Sequence, residues 1–295
     1  MHSRAAAADP NALETGAQAR TVHGTVTRRG MLGMLQALWV YRKFVFSMVG
    51  REFRSRYMGS LLGALWAVLS PLALILIYLV IFSAVMRGKL PGGAGDSLSY
   101  GIFLCTGILI WGFFAEVVSK CQTVFVEYAN LLKKMSFPRI TLPVIVLLTA
   151  LVNFSLVAGL FLLLLLVVQR FPGSAMLAFV PLLGLQAGFA TGLGILLGTL
   201  HVFFRDVGQL WTVLLNLWFW TTPIVYHIGI LPEKFHPLLQ WNPLTPLFLS
   251  YQSIVLEGRW PVWSDLWWPT VTTLVVITVG LAAFRRLSGE MVDEL

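Results

Sequence analysis

The chain has 295 residues and a formal net charge of +8, with 57% hydrophobic residues and only 12% charged residues. Soluble domains carry about 25% charged residues, so this composition excludes an ordinary soluble enzyme or binding module. The basic charge alone would suit a nucleic-acid partner, but the Lys and Arg residues flank apolar stretches, which indicates a role in membrane topology. We therefore expect a membrane protein that binds no nucleic acid.

The N-terminal region divides into two parts. Residues 1–30 are small and polar and lack the apolar core of a secretory signal, so we expect a disordered extension. Residues 31–58 are too charged to cross a bilayer, but Tyr41, Val45 and Val49 recur at four-residue spacing. This spacing predicts a cytoplasmic amphipathic helix at the membrane interface. The sequence leaves open whether the helix only anchors the chain or also docks a cytoplasmic partner.

Six stretches without Asp, Glu, Lys or Arg follow this helix. A helix rises about 1.5 Å per residue, so about 20 residues cross a hydrocarbon core about 30 Å thick. We therefore predict an all-α integral membrane fold, with six transmembrane helices within residues 59–286 and a cytoplasmic tail over residues 287–295. The stretches are Leu61–Met86, Ser97–Ala115, Ile140–Gln169, Phe171–Phe204, Val207–Pro232 and Leu266–Phe284.

The distribution of basic residues predicts the orientation. With both termini in the cytoplasm, 16 of the 21 Lys and Arg residues lie on the cytoplasmic side. An excess of basic residues on that side is the usual arrangement in membrane proteins. Within this topology, Glu116 and Lys120 form a predicted i,i+4 pair near the inner interface.

The segment between the fifth and sixth stretches is unusual. Residues 228–265 are too short and too rich in proline to cross the membrane twice, yet too apolar for a free loop. We expect a pair of short re-entrant helices, broken at Asn242-Pro243 and lying against the outer side of the bundle.

Motifs for nucleotide or metal binding are absent from the sequence. No P-loop pattern occurs, so we do not expect this chain to bind ATP. His227, Glu233 and His236 lie close together in sequence, but a solvated interfacial cluster is favoured over a metal site. Cys105 and Cys121 are about 24 Å apart along one predicted helix, too far for a disulfide. We therefore expect no metal and no cofactor in this chain.

Aromatic residues are the best candidates for contact with a substrate. Ring faces stack on the C–H faces of sugars, so an uncharged aromatic path would suit a sugar chain. One helical face of the fifth stretch would run about 22 Å, longer than a belt at headgroup depth. The predicted lining comprises Tyr78 and Phe82 on the first stretch and Trp211, Trp218, Thr222 and Tyr226 on the fifth.

A second aromatic group lies near the predicted outer surface, where Trp267 and Trp268 follow several other tryptophans. An aromatic belt at headgroup depth is the favoured interpretation. The alternative is an outer gate or interface formed by Trp241, Asn242, Pro243, Trp260 and Trp263.

Five pieces of the sequence, in order, resemble the membrane subunits of bacterial ABC exporters for polysaccharides. These type-2 ABC permeases export O-antigen, capsule or teichoic acid. The similarity covers about residues 38–286, and the extension before Gly30 departs from it. The matching pieces are residues 51–66 (REFRSRYMGSLLGALW) with Ser70-Pro71, residues 130–143 (NLLKKMSFPRITLP), Phe204-Arg205-Asp206, residues 222–226 (TPIVY) and residues 242–246 (NPLTP).

The resemblance implies a permease subunit that hydrolyses no ATP itself. It implies a homodimer of this chain with two copies of an ABC ATPase subunit, which would bind ATP and Mg. A lipid-linked polysaccharide would move outward through a pore formed by the first and fifth stretches. The expected location is the bacterial cytoplasmic (inner) membrane, with several spans and both termini in the cytoplasm. The expected contacts with the ATPase are Arg51, Glu52, Arg54, Lys133, Lys134, Phe137, Pro138 and Arg139.

Two other functions remain open at this stage. An ABC exporter of a drug or a lipid would share the topology, although the long aromatic face and the basic, proline-containing loop favour a polymer. A membrane-embedded glycosyl- or acyltransferase would need an acidic or histidine site at the interface. On the inner side, only Asp206 and His201 are candidates for such a site.

Overall fold

The computed structural model describes residues 38–55, 63–81, 97–134 and 137–294, and these ranges contain helices, short 3₁₀ turns and loops but no strand. The predicted extension over residues 1–30 and the predicted pore residue Phe82 lie outside the described residues. The helices are α1 (Arg42–Ser55), α2 (Trp66–Val80), α3 (Ser97–Glu127), α4 (Ala129–Lys134), α5 (Thr141–Val167), α6 (Phe179–Phe203), α7 (Asp206–Thr221), α8 (His236–Trp241), α9 (Leu244–Glu257), α10 (Trp267–Leu287) and α11 (Met291–Glu294).

Four helical segments in the described ranges are long and apolar enough to cross a membrane. They are Leu98–Glu127, Thr141–Val167, Gly173–Phe203 and Trp263–Leu287. The apolar helix α2 has 15 residues and α7 has 16. At about 1.5 Å per residue, neither described helix alone spans a 30 Å core. The structure is thus that of a multi-pass membrane protein, with four spans of full length.

Helix α6 lies at the centre, between α3 on one side and α10 on the other. Glycines allow both contacts. A Cβ on Gly192 would lie 2.8 Å from the backbone nitrogen of Ile277, and a Cβ on Gly280 would overlap the Gly192 carbonyl oxygen. On the opposite face of α6, a Cβ on Gly198 would overlap the carbonyl oxygen of Cys121 in α3. Small residues bring transmembrane helices close enough for backbone contact, which strengthens their van der Waals packing.

Helix α7 ends earlier than the sequence analysis predicted. Thr222 has extended backbone angles (φ −107°, ψ 138°), and bends continue through Tyr226. The cause is Pro223, because a proline disfavours helical angles in the preceding residue and provides no N–H of its own. The predicted continuous face over Trp211, Trp218, Thr222 and Tyr226 is therefore wrong, since its last two members lie beyond the helix.

The segment after α7 contains the predicted break. Helix α8 ends at Trp241, and α9 begins at Leu244, with Asn242 and Pro243 between them. Helix α9 is largely buried against α3 and α6, and it ends at Gly258, which has the positive φ of +63° that favours glycine. The two helices and their break confirm the sequence prediction, while their re-entrant placement in the membrane stays a prediction.

The amphipathic helix is present as α1. It buries Val45, Met48 and Val49, and it packs against α5. Lys43 and Arg54 are exposed on other faces. The four-residue spacing of apolar residues therefore identified the buried face correctly in the described part of the predicted range.

Candidate coupling surface and substrate path

The two segments predicted to contact an ATPase lie next to each other. The Phe44 ring in α1 packs on the Phe137 ring, with centroids 5.4 Å apart. Pro138 and Arg139 follow Phe137 directly, and all three residues are half-buried. Sequence separation gave no sign of this contact, because almost a hundred residues lie between the two rings.

A polar contact also joins α1 to the end of α3. The Tyr128 hydroxyl donates a hydrogen bond to the Glu52 carboxylate at 3.2 Å. Burial, reinforced by the negative charge of Glu52, raises the pKa of Tyr128 above its ordinary value of 10.0. Tyr128 therefore stays protonated and keeps donating at physiological pH. Glu52 is thus partly occupied within the chain and is less accessible to a partner than its basic neighbours.

Those basic neighbours are exposed. Arg51 and Arg54 line an open groove on α1 of about 470 Å³, together with Phe46 and Gly50. Lys133 and Lys134 are exposed at the end of α4. A groove lined by an aromatic ring, small residues and two guanidinium groups can accept a protein segment that carries both apolar and acidic side chains.

A polar cluster that the sequence analysis found only in part lies inside the bundle. The Glu116 carboxylate pairs with Lys120 at 3.0 Å, which confirms the predicted i,i+4 pair. The same Glu116 oxygen accepts a hydrogen bond of 2.8 Å from the Asn153 amide in α5. A cavity of about 290 Å³ beside this cluster is lined by Tyr78 of α2 as well as by Glu116 and Asn153. Asn153 is a single amide in a long apolar helix, and that contrast was the available sequence signal.

Trp211 and Trp218 pack inside the chain. Trp211 is only 4% exposed, and its indole N–H donates to the Ser119 hydroxyl of α3 at 3.2 Å. The Trp218 ring makes edge contacts with Phe114 and Phe189, at centroid distances of 5.6 and 6.1 Å. Both tryptophans therefore fix α7 to the core. The exposed face of α7 consists of other residues, namely Leu210, Val213, Leu214, Leu217 and Trp220.

Asn242 is the centre of a hydrogen-bond network. Its Oδ1 accepts from the Trp218 indole N–H at 2.9 Å and from the Leu244 backbone N–H at 3.0 Å. Its Nδ2 donates to the Thr222 hydroxyl at 2.9 Å and to the Thr221 carbonyl at 3.2 Å. Because the first two partners only donate, the orientation of the amide is fixed, and every strong hydrogen-bonding position of this side chain is used. Asn242 thus joins the end of α7 to the beginning of α9.

The extended residues after α7 are held by further bonds. The Gln252 amide donates to the Pro223 carbonyl, and the Tyr100 hydroxyl donates to the Val225 carbonyl, both at 2.9 Å. Tyr226 is half-buried and donates to the Trp220 carbonyl at 2.9 Å. Thr222 is fully buried at 0% exposure. Of the predicted path residues on this segment, Tyr226 keeps some accessible surface and Thr222 keeps none.

The predicted outer residues differ in their surroundings. Trp260 and Trp263 are half exposed in the connection to α10, and Trp241 is 73% exposed at the end of α8. Asn242 is buried at 9% exposure, and Pro243 is half-buried directly before α9. The tryptophans therefore form an accessible surface, whereas Asn242 belongs to the core.

The geometry gives little support to the alternative of a glycosyl- or acyltransferase. Within the described ranges, no three His, Cys, Asp or Glu side chains come close enough to hold a metal ion. The His227 Nδ1 accepts a hydrogen bond from the Gly229 backbone N–H, as a cap of a short turn. Asp206 begins α7, where a carboxylate stabilises the helix dipole. His201 borders Gly208 in that helix and makes no described bond to Asp206.

Comparison with known proteins decides the family. The model of the ABC-2 type transporter family matches residues 43–256, which is most of the chain. The chain belongs to the ABC-2 type transporter family. The match starts inside α1 and ends inside α9, so it includes both predicted ATPase-contact segments and the Asn242 network.

Individual proteins are also similar to this chain over most of their own length. An O-antigen export system permease protein RfbA of Myxococcus xanthus is 30% identical over 267 residues, covering 90% of this chain and 100% of the relative. A protein of the same name from Klebsiella pneumoniae is 30% identical over 83% of this chain and 92% of its own length. The polysialic acid transport protein KpsM of Escherichia coli is 24% identical over 82% of this chain and 92% of its own length.

Proposed function

We propose that this chain is the permease subunit of an ABC exporter that moves a polysaccharide, lipid-linked as in O-antigen export, across the bacterial inner membrane. One observation carries the proposal: an O-antigen export permease matches this chain at 30% identity over its whole length. A polysialic acid transport protein is similar as well, and this second similarity also supports a glycan polymer as the substrate. ATP hydrolysis takes place in a separate subunit.

The proposed topology has six spans. The four long helices supply four of the spans. Helices α2 and α7 supply the other two, where the bilayer is locally thinner or where residues next to each helix complete the crossing. Basic side chains concentrate at the end of the bundle formed by α1, α4, residues 137–140 and the last turn of α10, which we call the basic end. This end faces the cytoplasm in the proposed orientation. Residues 168–178, 222–243 and 258–266 form the opposite, tryptophan end.

The proposed substrate path lies between two copies of the chain. The exposed apolar faces of α2 and α7 are the surfaces that a second copy would complete. Of the predicted path residues, Tyr226 is half-buried just beyond α7, and Tyr78 is half-buried at the cavity beside Glu116 and Asn153, away from the exposed face of α2. The predicted path residues Trp211, Trp218 and Thr222 contribute indirectly, because their contacts with the core fix the position of α7. No charged residue occurs in α2, and Asp206 is the one charge in α7, at its first position. A polymer can therefore slide past both helices without a strong electrostatic trap.

The proposed ATPase contact is the groove on α1 together with the exposed lysines of α4. Phe44 and Phe137 connect these two parts through their rings. A push on either segment by the ATPase would therefore reach α5 through α1 and through the residues that precede α5. Charge complementarity would then set the orientation of the bound subunit.

The central experiment combines export with subunit assembly. In a strain that lacks this gene, the wild-type chain should restore polysaccharide at the cell surface and should co-purify with an ABC ATPase. Arg51→Glu and Lys134→Glu should reduce both, while membrane insertion and protein level persist. Lys43→Glu is a matched control, because Lys43 is exposed on the same helix but lies outside the groove. Normal surface polysaccharide without the gene, or full assembly in both charge-reversed variants, would contradict the proposal.

Cysteine labelling tests the orientation. Cys105 and Cys121 are both buried, so the background from natural thiols should be low. Cysteine introduced at Lys234 should react with an impermeant reagent outside, whereas cysteine at Lys133 or Arg286 should react only after the inner side is opened. Labelling of Lys234 and Arg286 from the same side would mean an even number of crossings between them, which would contradict the single span that the proposed topology places there.

A further inference from the structure

A cavity of about 820 Å³ opens at the tryptophan end, away from the proposed ATPase contact. It lies between the end of α8, the first turns of α9 and the beginning of α10. Its size falls within the range of about 300–1,000 Å³ that is typical of small-molecule sites. The lining is mostly apolar with a few polar groups, which is the usual composition of a ligand site.

Three tryptophans form one side of this cavity. Trp241 and Trp267 are 73% and 65% exposed, so much of each ring surface is free for contact. Trp268 lies between them, with ring centroids 5.8 Å from Trp241 and 5.7 Å from Trp267. Its indole N–H donates to the Trp241 carbonyl at 3.1 Å, which ties the end of α8 to α10. The two exposed rings are thus held apart around a fixed third ring.

Polar groups that suit hydroxyl ligands line the same cavity. Asp265 contributes an exposed carboxylate, and Gln240 contributes an exposed amide. Ser253 is a half-buried residue of the same lining, and its hydroxyl donates to the Ser250 carbonyl at 2.9 Å. A hydroxyl that donates once still has lone pairs that can accept a hydrogen bond from a ligand.

We propose that this cavity binds a pyranose ring of a carbohydrate chain. Aromatic faces provide stacking surfaces for the C–H faces of the sugar, while the carboxylate, amide and hydroxyl bond its hydroxyl groups. The lining includes the Asp265 carboxylate and no basic side chain. An anionic sugar or a lipid phosphate would be repelled there, so the ligand is a neutral or amino pyranose. The inference rests on the proposed function only for the source of the ligand, which would be the polymer that emerges at this end.

The test is a binding titration on the full chain in lipid nanodiscs, which contain no sugar detergent. The probes are methyl pyranosides of glucose, mannose, galactose, rhamnose and N-acetylglucosamine, with methyl glucuronide as the anionic comparison. Saturation-transfer NMR measures the binding of each probe. At least one neutral glycoside should bind, and the glucuronide should bind at least tenfold more weakly. Trp241→Ala and Trp267→Ala should each weaken binding about fivefold to tenfold, in line with the loss of one stacked ring.

Matched controls separate binding from folding. Leu238→Ala and Val271→Ala alter exposed residues of α8 and α10 outside the cavity and should leave affinity unchanged. Asp265→Asn removes the charge from an exposed side chain without a core contact, and it should bring glucuronide affinity to within about threefold of the neutral glycoside, since the repulsion is gone. This variant keeps the proposal testable even where a tryptophan variant fails to fold.

The outcomes are distinct from those of the export experiment. No binding by any neutral glycoside, unchanged binding in the Trp241→Ala/Trp267→Ala double variant, or unchanged glucuronide affinity in Asp265→Asn would each overturn the carbohydrate site. The titration uses isolated protein, so it stands or fails independently of polymer export. Loss of the proposed function would instead appear as normal surface polysaccharide in cells that lack the gene.

Discussion

The two ends of the bundle differ in how far they satisfy their own polar groups. At the tryptophan end, the Asn242 side chain makes four hydrogen bonds, and Gln252 and Tyr100 hold the extended residues that follow α7. At the basic end, α1 is joined to the rest by apolar packing on α5, by the Phe44–Phe137 ring contact and by the Tyr128–Glu52 hydrogen bond at 3.2 Å. Arg51, Arg54, Lys133 and Lys134 are exposed there. The first end joins its segments through bonds between polar side chains and backbone, whereas the second exposes its charged side chains, as an interface would.

The difference explains why chemically similar residues have different roles. Trp218 and Asn242 carry hydrogen-bonding groups in an apolar bundle, and both side chains use these groups for hydrogen bonds within the chain. The arginines and lysines of the basic end leave their charges accessible to solvent. Stability should therefore depend strongly on the first pair, and assembly should depend strongly on the second group.

Trp218→Ala should have the largest effect on stability. The change removes a ring that contacts Phe114 and Phe189 and also the donor to Asn242, so we expect a loss of about 3 kcal/mol. Thermal unfolding of the purified protein measures the change. Trp220→Ala is the control, because Trp220 is 65% exposed on the same helix and should cost much less. A Trp218→Ala protein with normal stability but no polymer export would instead place the ring in the substrate path.

Asn242→Ala should have the next largest effect. It leaves the Trp218 and Leu244 N–H groups without their acceptor, and each unsatisfied buried donor costs about 1–3 kcal/mol. The expected loss is about 2 kcal/mol, since solvent can reach part of the gap. Asn216→Ala serves as the control, because Asn216 is exposed and bonds only to the Thr212 carbonyl within α7. Equal melting temperatures for the two variants would mean that the network does not hold this end together.

Gly280→Ala tests the helix packing in the middle of the bundle, away from both ends. The added methyl would overlap the Gly192 carbonyl and force α10 away from α6, at a cost of about 1–3 kcal/mol. Gly184→Ala is the matched control on α6, since no heavy atom lies within 4 Å of its added Cβ. We expect lower protein level and melting temperature for Gly280→Ala alone. If both variants behave like the wild type, the close approach of these helices is not needed for stability.

Tyr128→Phe should have the smallest effect on stability. It removes the bond to Glu52, which is worth about 0.5–1.5 kcal/mol at most, and it frees the carboxylate. Tyr41→Phe, on the same side of the molecule, is the control. The sharper measurement is co-purification with the ATPase, because a freed Glu52 changes the charge pattern beside Arg51. A large fall in melting temperature would show that the basic end is more tightly held than its few contacts indicate.

The sequence predicted the elements better than their surroundings. Charge-free length identified α3, α5, α6 and α10, and Asn242-Pro243 marked the break between α8 and α9. The end of α7 was missed, although Thr222-Pro223 carried the signal, because the apolar composition continued past it. Periodicity grouped Trp211 with Trp218 correctly on one face. It could not reveal that this face meets α3 and α6, since a buried face and a path-lining face have the same spacing.

Contacts between residues far apart in the chain could not be predicted from the sequence, for a different reason. Asn153 meets Glu116 across two helices, and Phe44 meets Phe137 across most of the first half of the chain. Both depend on how the helices are arranged in space, which local propensities do not encode. The family resemblance named two segments at the basic end as an ATPase contact, which stays a prediction, and the ring contact between them came only from the structure.

The Asn242 network also determines which motion of α7 is easiest. The network makes the last turn of α7, the extended residues 222–226 and the start of α9 one mechanical unit, because separating them would break four bonds at once. Nearer its other end, α7 is fastened to α3 by the Trp211–Ser119 hydrogen bond, and Phe204, which is extended (φ −129°, ψ 99°) and 65% exposed, connects α6 to Arg205. Because α9 is itself buried against α3 and α6, a displacement of α7 would carry the extended residues and the start of α9 with it, and would strain their contacts with the rest of the bundle.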